Sequence, residues 1–371
     1  QNGESWGAGF NDDGQLGNGT YDNSPFPVQM INQDGTPFNE VVTLSGGTRE
    51  TSFLKKDGTV WAVGKNNYGQ LGDGTTTSRN HPVQVTKSDG QPLTSVQSID
   101  SGHYFSVFYM EDGTIWSVGK NDAGQLGDGT TTNRSRAVQL INDPNSRFFQ
   151  SEVINYSAGG HVLYQLKDGS VWAMGKNSSG QLGDGSTIDR MIPVMLVDYS
   201  TEIKDVIQTA CGVHHTLFLK NDGTVWACGQ NSFGQLGNGT TDNVYNPVQV
   251  RRSSSSYLTG VIAIDAGSWH SVFLLDDGTV MTVGKNDNGQ LGDGTLISRN
   301  YPVNVVQSNG ILFNDVIEVS AGNHHDSSHT LFLKSNGSVW GVGNNNNGQL
   351  GDGSYSNKQN PVQVRTVDGS T

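Results

Sequence analysis

The tetrapeptide Gly-Gln-Leu-Gly occurs seven times in this chain, beginning at Gly14, Gly69, Gly124, Gly180, Gly234, Gly289 and Gly348. The steps between copies are 55, 55, 56, 54, 55 and 59 residues. So steady a period means one supersecondary unit that recurs in space and buries its apolar faces against its own neighbours. Single-site motifs carry meaning only against that background.

Every copy spells the same series. A β-rich run such as Val206 to Gly212 is followed by a second, His215 to Lys220. An Asp-Gly pair, Asp222-Gly223, then leads into a third run, Thr224 to Gly229. Asp-Gly between two such runs is a strong hairpin signal, because both turn residues must tolerate positive φ. A long polar loop through Gly-Gln-Leu-Gly reaches a fourth short run, Pro247 to Val250. Four short antiparallel strands per period, with no helical periodicity, predict an all-β fold: a seven-bladed β-propeller of four-stranded antiparallel blades.

Composition fits this single domain. Apolar residues make up only 33% of the 371, and Gly totals 50. In a chain without repeats that would suggest disorder, but here the apolar residues fall at fixed positions and the glycines at turns. The formal net charge of −13 argues against nucleic acid, whose binding draws on phosphate neutralisation. No apolar run reaches the roughly 18 residues that span a bilayer, and no signal-like segment precedes Gln1. Abundant hydroxyl, amide and Gly residues with few charges lean toward an extracellular or cell-surface setting, with the cytoplasm as the alternative. Asn18-Gly-Thr20 matches the glycosylation pattern, although Asn, Gly and Thr are what these turns are made of.

Full blades are expected at about 38–87, 93–142, 148–198, 203–252, 258–307 and 312–366, and a half blade at 1–31. An apolar residue precedes each first strand, namely Phe38, Leu93, Phe149, Ile203, Leu258 and Phe313, which marks packing between blades. Third and fourth strands occur seven times, first and second strands six times. The chain is about 18 residues short of seven periods, the length of one hairpin. The seventh blade is therefore incomplete in this chain: its inner hairpin lies outside this sequence, or that blade has only two strands.

The pattern A-G-x-x-H-[ST]-x-x-L-x-x-D-G-x-V-W-x-x-G-x-N-x-x-G-Q-L-G runs from Ala266 to Gly292, with Met281 in place of the tryptophan. It resembles the regulator of chromosome condensation repeat, and the match covers essentially the whole chain. The resemblance implies a seven-bladed propeller. It implies function less directly, since members include an exchange factor for a small nuclear GTPase, a plant ultraviolet photoreceptor and a secreted bacterial inhibitor of β-lactamases. The chain is closest in character to the secreted bacterial type. What the resemblance implies for all of them is a rigid disc that presents loops to another protein. The photoreceptor's chromophore needs clustered tryptophans beside arginines, whereas Trp6, Trp61, Trp116, Trp172, Trp226 and Trp340 share one third-strand position and read as core between blades.

Catalytic signatures are absent: no G-x-x-x-x-G-K-[ST], H-E-x-x-H or G-x-S-x-G, and no cysteine spacing for zinc. His215, His270 and His329 sit just before Ser or Thr at a repeated position, where an imidazole bridges neighbouring groups at a strand start. In the sixth blade His324, His325, Asp326 and His329 have metal-ligating chemistry, but the four-residue insertion reads as a polar loop. Asn286 to Gly289 and Asn11 to Gly14 resemble the start of a calcium loop, yet no Glu follows at the twelfth position, so the turn reading wins. Cys211 and Cys228 end the first and third strands of one blade, about 9–10 Å apart across two strand spacings, too far for a disulfide.

The expected function is a non-enzymatic, monomeric scaffold that binds a protein partner and uses no cofactor or metal. The alternatives are a carbohydrate-binding module or channel-site enzyme, and a guanine-nucleotide exchange factor. The expected binding ring lies on the turns between first and second strands, where the repeat loses its regularity: Arg49, Glu50, His103, Tyr104, Phe105, His161, His214, Trp269, His324, His325 and Asp326. Arg, Tyr and Trp around a centre is a hot-spot composition. A half-made blade leaves an exposed strand edge. Amide exchange should therefore be fastest where residues 1–31 meet 314–366, and uniform protection around the ring would contradict the incomplete blade.

Overall fold

The computed structural model describes residues 3–141, 143, 145–198, 201–322 and 328–365. The fourth blade shows how the repeat folds. Gly223 takes φ +76° in the Asp-Gly turn, and its N–H donates to the Lys220 carbonyl. Asp222 Oδ1 accepts from both the N–H and the hydroxyl of Thr224, which locks the turn from the side-chain end. The hairpin so closed pairs His215–Lys220 with Val225–Gly229. Val206–Cys211 adds on one side and Val244–Gln249 on the other, so sheet order follows chain order. The other complete sheets repeat this order, and consecutive first strands are neighbours at the hub.

Among the described residues six sheets have four strands, not seven. Among the described residues the seventh place holds Trp6–Gly9 paired with Ser24–Gln29. These are a third and a fourth strand without the hairpin that should lie inside them. This sequence carries six first-and-second-strand pairs and seven third-and-fourth-strand pairs.

The rim nevertheless closes. Each Gly-Gln-Leu-Gly loop lies against the outermost strand of the next blade, and a glycine N–H from the loop donates across six of the seven seams. These include Gly19 to the Asn80 carbonyl and Gly353 to the Pro25 carbonyl, 3.0 and 3.1 Å, the two seams that flank the two-stranded unit. Inside each loop a buried asparagine holds the shape. Asn66 Oδ1 accepts from Leu71 N at 2.9 Å, while its amide nitrogen faces Asp73 Oδ1, Thr75 O, Thr75 Oγ1 and Thr77 O at 3.1–3.3 Å. The calcium-like appearance of these loops is thus explained. They are oxygen cages, and an Asn side-chain NH₂ fills them.

At the hub each first strand is an edge strand whose free N–H groups must find partners. A side chain from the preceding blade supplies one at every seam between complete blades. Ser45 Oγ accepts from Ser101 N, Asp100 Oδ2 from Ala158 N and Ser157 Oγ from Cys211 N. Gln208 Oε1 accepts from Ile264 N, and Asp265 Oδ2 from Ala321 N. The blades approach so closely here that a Cβ on Gly159 would lie 2.3 Å from the Gly212 carbonyl oxygen.

A second seam bond runs through the repeated histidine. His215 Nε2 lies 3.0 Å from Ser271 Oγ, and that hydroxyl donates to the Gln235 carbonyl at 2.7 Å, so the imidazole must be the donor to Ser271. His270 treats Thr330 in the same way, and His161 meets Thr216. These histidines therefore bridge two blades rather than groups at their own strand start. Burial holds each near pKa 3, so all three are neutral.

Two expectations are corrected in the core. The third linker carries a short 3₁₀ helix, Arg147–Gln150, capped by Ser146 Oγ accepting from Phe148 N. Its turn advances the phase by one residue, so buried Phe148 takes the packing role and Phe149 is only partly covered. The tryptophans of the complete blades are buried or half-buried beside the apolar linker residues, as in Trp61 against Phe38 and Trp340 against Phe313. Trp6, with no second strand beside it, is 56% exposed. Cys211 and Cys228 are free, buried thiols. Burial pushes both thiols up, so neither is a nucleophile at neutral pH.

Two outcomes follow. Asn66→Asp sets a carboxylate oxygen against four acceptor oxygens, and urea unfolding should show a loss of about 3 kcal/mol or more. For His215 the folded pKa lies below the unfolded value. Its contribution to stability is full above about pH 6.5 and is lost as pH falls toward 3. Relative to His215→Gln, which keeps a donor but takes up no proton, the parent should lose roughly 3 kcal/mol between pH 7 and pH 4.

Candidate interaction face

The turn from first to second strand and the loop from third to fourth strand emerge on one face, and backbone bonds tie them together. Lys65 N donates to Arg49 O, Lys120 N to Tyr104 O, Gln230 N to His214 O and Lys285 N to Trp269 O, all at 2.8–2.9 Å. The turn residue of one blade then meets the loop of the blade before it. That meeting creates side-chain pairs which the sequence alone did not reveal.

Three seams carry large groups. Arg49 Nη1 lies 3.2 Å from Asp13 Oδ2, and its guanidinium stacks 4.8 Å from the Phe10 ring centre. Tyr104 holds φ +68° and packs against Tyr68 at 5.3 Å and His103 at 4.5 Å. Lys65 lies over the Tyr104 ring and Lys120 over the Tyr68 ring. Trp269 sits between His214 at 5.3 Å and Phe233 at 5.5 Å, with Lys285 over the Phe233 ring. Each is a cation–aromatic cluster that straddles two blades. Of the two seams between the second and third clusters, one has Gly160 and Ala123 at the matching positions, too small to build one, and the other has His214 and Ser179.

The expected ring therefore divides. Arg49, His103, Tyr104 and His214 are partly exposed on this face, and Trp269 is largely buried, at 9% exposure. Glu50, Phe105 and His161 are not on the surface. All three start second strands at the repeated histidine position, one residue inside the turn, and are buried in the seams. His161 is the equivalent of His215, not a turn residue. Burial raises the Glu50 carboxyl to about 8, so it carries little charge at pH 7. His324, His325 and Asp326 lie outside the described residues. Among the described residues no cluster of His, Cys, Asp and Glu has metal-site geometry.

Phe10, Asp13, Lys65, Tyr68, Lys120, Phe233 and Lys285 went unnoticed in the sequence. The signal was available: the residue before the glycine of Gly-Gln-Leu-Gly changes from copy to copy, through Asp13, Tyr68, Ala123, Ser179, Phe233, Asn288 and Asn347. Its significance appears only once that loop is placed beside the next blade's turn.

The fold and this face can now be set beside known proteins. The RCC1-like domain signature matches residues 88–371, and the regulator of chromosome condensation (RCC1) repeat signature matches 2–54 and 57–109. The ultraviolet-B receptor UVR8 of Arabidopsis thaliana is 30% identical over 376 residues, covering 99% of this chain and 79% of the receptor. The human E3 ubiquitin-protein ligase HERC2 is 29% identical over 99% of this chain, which spans only 7% of that protein. Human WBSCR16 has the same fold at a TM-score of 0.80 and 22% identity, covering 97% of this chain and 93% of that one. Yeast RCC1 (Prp20), in its complex with Kap60, superposes at 0.79 with 18% identity over 98% and 85% of the two chains. With signatures that together span the repeats from end to end, this chain belongs to the RCC1 repeat family of β-propellers.

Proposed function

We propose that this chain is a non-enzymatic protein-binding propeller whose partner docks on the turn-and-loop face. The observation that carries the reading is the set of three cation–aromatic clusters at blade seams, each fixed by contacts from two blades. Aromatic and Arg side chains already held in place lose little conformational freedom on binding, which is what favours them as anchors. Support also comes from relatives: yeast RCC1 has been crystallised with Kap60, and a structure of Prp20p from Saccharomyces cerevisiae is described with its binding to Gsp1p and histones. The exchange-factor reading is the second candidate on the same ground, and it uses the same kind of surface. Carbohydrate binding has no comparable support.

The test is alanine substitution of Arg49, Tyr104 and His214, with the partner captured from cells that express the protein and affinities then measured by calorimetry. Each substitution should weaken binding by about 2 kcal/mol and leave the melting temperature nearly unchanged. Trp269→Ala is a poorer probe, because this side chain is largely buried and its loss would cost stability as well. The opposite face supplies the control in Tyr257, 49% exposed on a linker hairpin. Normal binding by all three variants, with loss in Tyr257→Ala, would move the interface to the linker face.

A further inference from the structure

The linker side of the disc departs from the repeat between the second and third blades. Two adjoining cavities there, of about 440 and 550 Å³, share Tyr109, Glu152 and Val153. The outer one reaches Leu140 and Phe149, and the inner one reaches the first strands at Gln97 and Ile154. Together they form a radial cleft that ends at the hub. At the other seams between complete blades the first strand packs on the second strand of the blade before it, whereas Val153–Ala158 stands off from Phe105–Met110. Side-chain size accounts for the gap. Tyr109 takes the position held by Leu54, Leu219, Leu274 and Leu333 in four other blades, and Tyr156 takes that of Ile99, Thr209, Ile264 and Val319. The two rings meet at 6.4 Å, and Tyr156 Oη lies 2.9 Å from Ser98 Oγ, so the phenols prop the strands apart.

At its inner end the cleft meets an apolar collar. Each first strand carries a β-bulge after its first residue, and a bulge leaves the extra residue unpaired and re-aims its side chain. In the third, fourth and fifth blades that residue is Ile154, Ile207 and Ile262, each 53–55% exposed although complete blades flank it on both sides. Packing does not require an apolar side chain there, since the second blade has Gln97. Two residues before the isoleucines stand the exposed carboxylates Glu152 and Asp205, and Asp112 also lines the cleft. Glu152 meets Lys167 at 2.8 Å, but both side chains are largely exposed, and such a pair exchanges partners at little cost.

We propose that this cleft and collar form a docking site for an extended segment of a partner protein in which apolar residues stand beside Lys or Arg. Exposed apolar side chains grouped within a charged rim mark a protein contact. Tyr and Phe rings beside carboxylates favour cations, and a net charge of −13 works against a second copy of this chain in the same place. The inference stands apart from the turn-and-loop reading, because it concerns the opposite side of the disc.

The probe is a phage-displayed library of random peptides selected on the full chain, and the enriched peptides are synthesised with a fluorescent label for anisotropy titration. They should carry Leu, Ile or Phe flanked by Lys or Arg and bind one to one. Affinity should fall about tenfold or more when Ile154→Ser and Ile207→Ser are combined, two exposed substitutions whose folding is checked by circular dichroism. Glu152→Gln should cost about threefold, as for an exposed charge pair, and Arg49→Ala on the other face should cost nothing. A selection without that residue pattern, or peptides that bind the isoleucine variant as they bind the parent, would overturn the proposal. So would peptides that lose affinity in Arg49→Ala alone, which would assign them to the turn-and-loop face, and dimerisation of the parent that excludes them, which would assign the cleft to a second copy.

Discussion

The innermost strand of each blade is an unpaired edge, and the structure depends on how its free amides are satisfied. Water at the hub would be one answer, but the blades pack too closely for it to serve every group. Instead one oxygen-bearing side chain per seam reaches across to the next blade, from Ser45, Asp100, Ser157, Gln208 or Asp265. A buried amide left without an acceptor costs on the order of 1–3 kcal/mol. These short side chains therefore fix the distance between blades as firmly as the apolar clusters do. The histidine bonds lie in the same seams and act in the same direction, so neighbouring blades share polar and apolar contacts and cannot loosen independently.

Much of the fold was legible because the repeat is regular. Asp-Gly turns, β-branched runs and loop glycines each indicate a local conformation, and their spacing orders the strands. The departures came where position is defined by a neighbour rather than by the chain itself. His161 looks like a turn residue in its own blade, and only pairing with Gly175 places it at the start of the second strand. Phe149 has the expected spacing, but a single 3₁₀ turn gives its place to Phe148. Glu50 looks like a surface charge beside Arg49, yet it occupies the buried histidine position of its blade.

The interaction face shows the same limit. Arg49, Tyr104 and Trp269 stood out as breaks in the repeat, whereas their partners Asp13, Tyr68 and Phe233 lie some 36 residues earlier, in the loop of the preceding blade. A blade-by-blade reading separates these pairs, and a seam-by-seam reading joins them. The seam is the unit in which both stability and surface chemistry are organised.

The spacing of the three clusters also bears on orientation. A disc of seven near-identical blades presents a partner with several rotational settings that differ little in backbone shape, and selection among them would fall to a few side chains. The three clusters remove that degeneracy, because the Arg49 and Tyr104 seams are adjacent while the Trp269 seam lies three further round. A protein that engages all three clusters would then meet the disc at one azimuth.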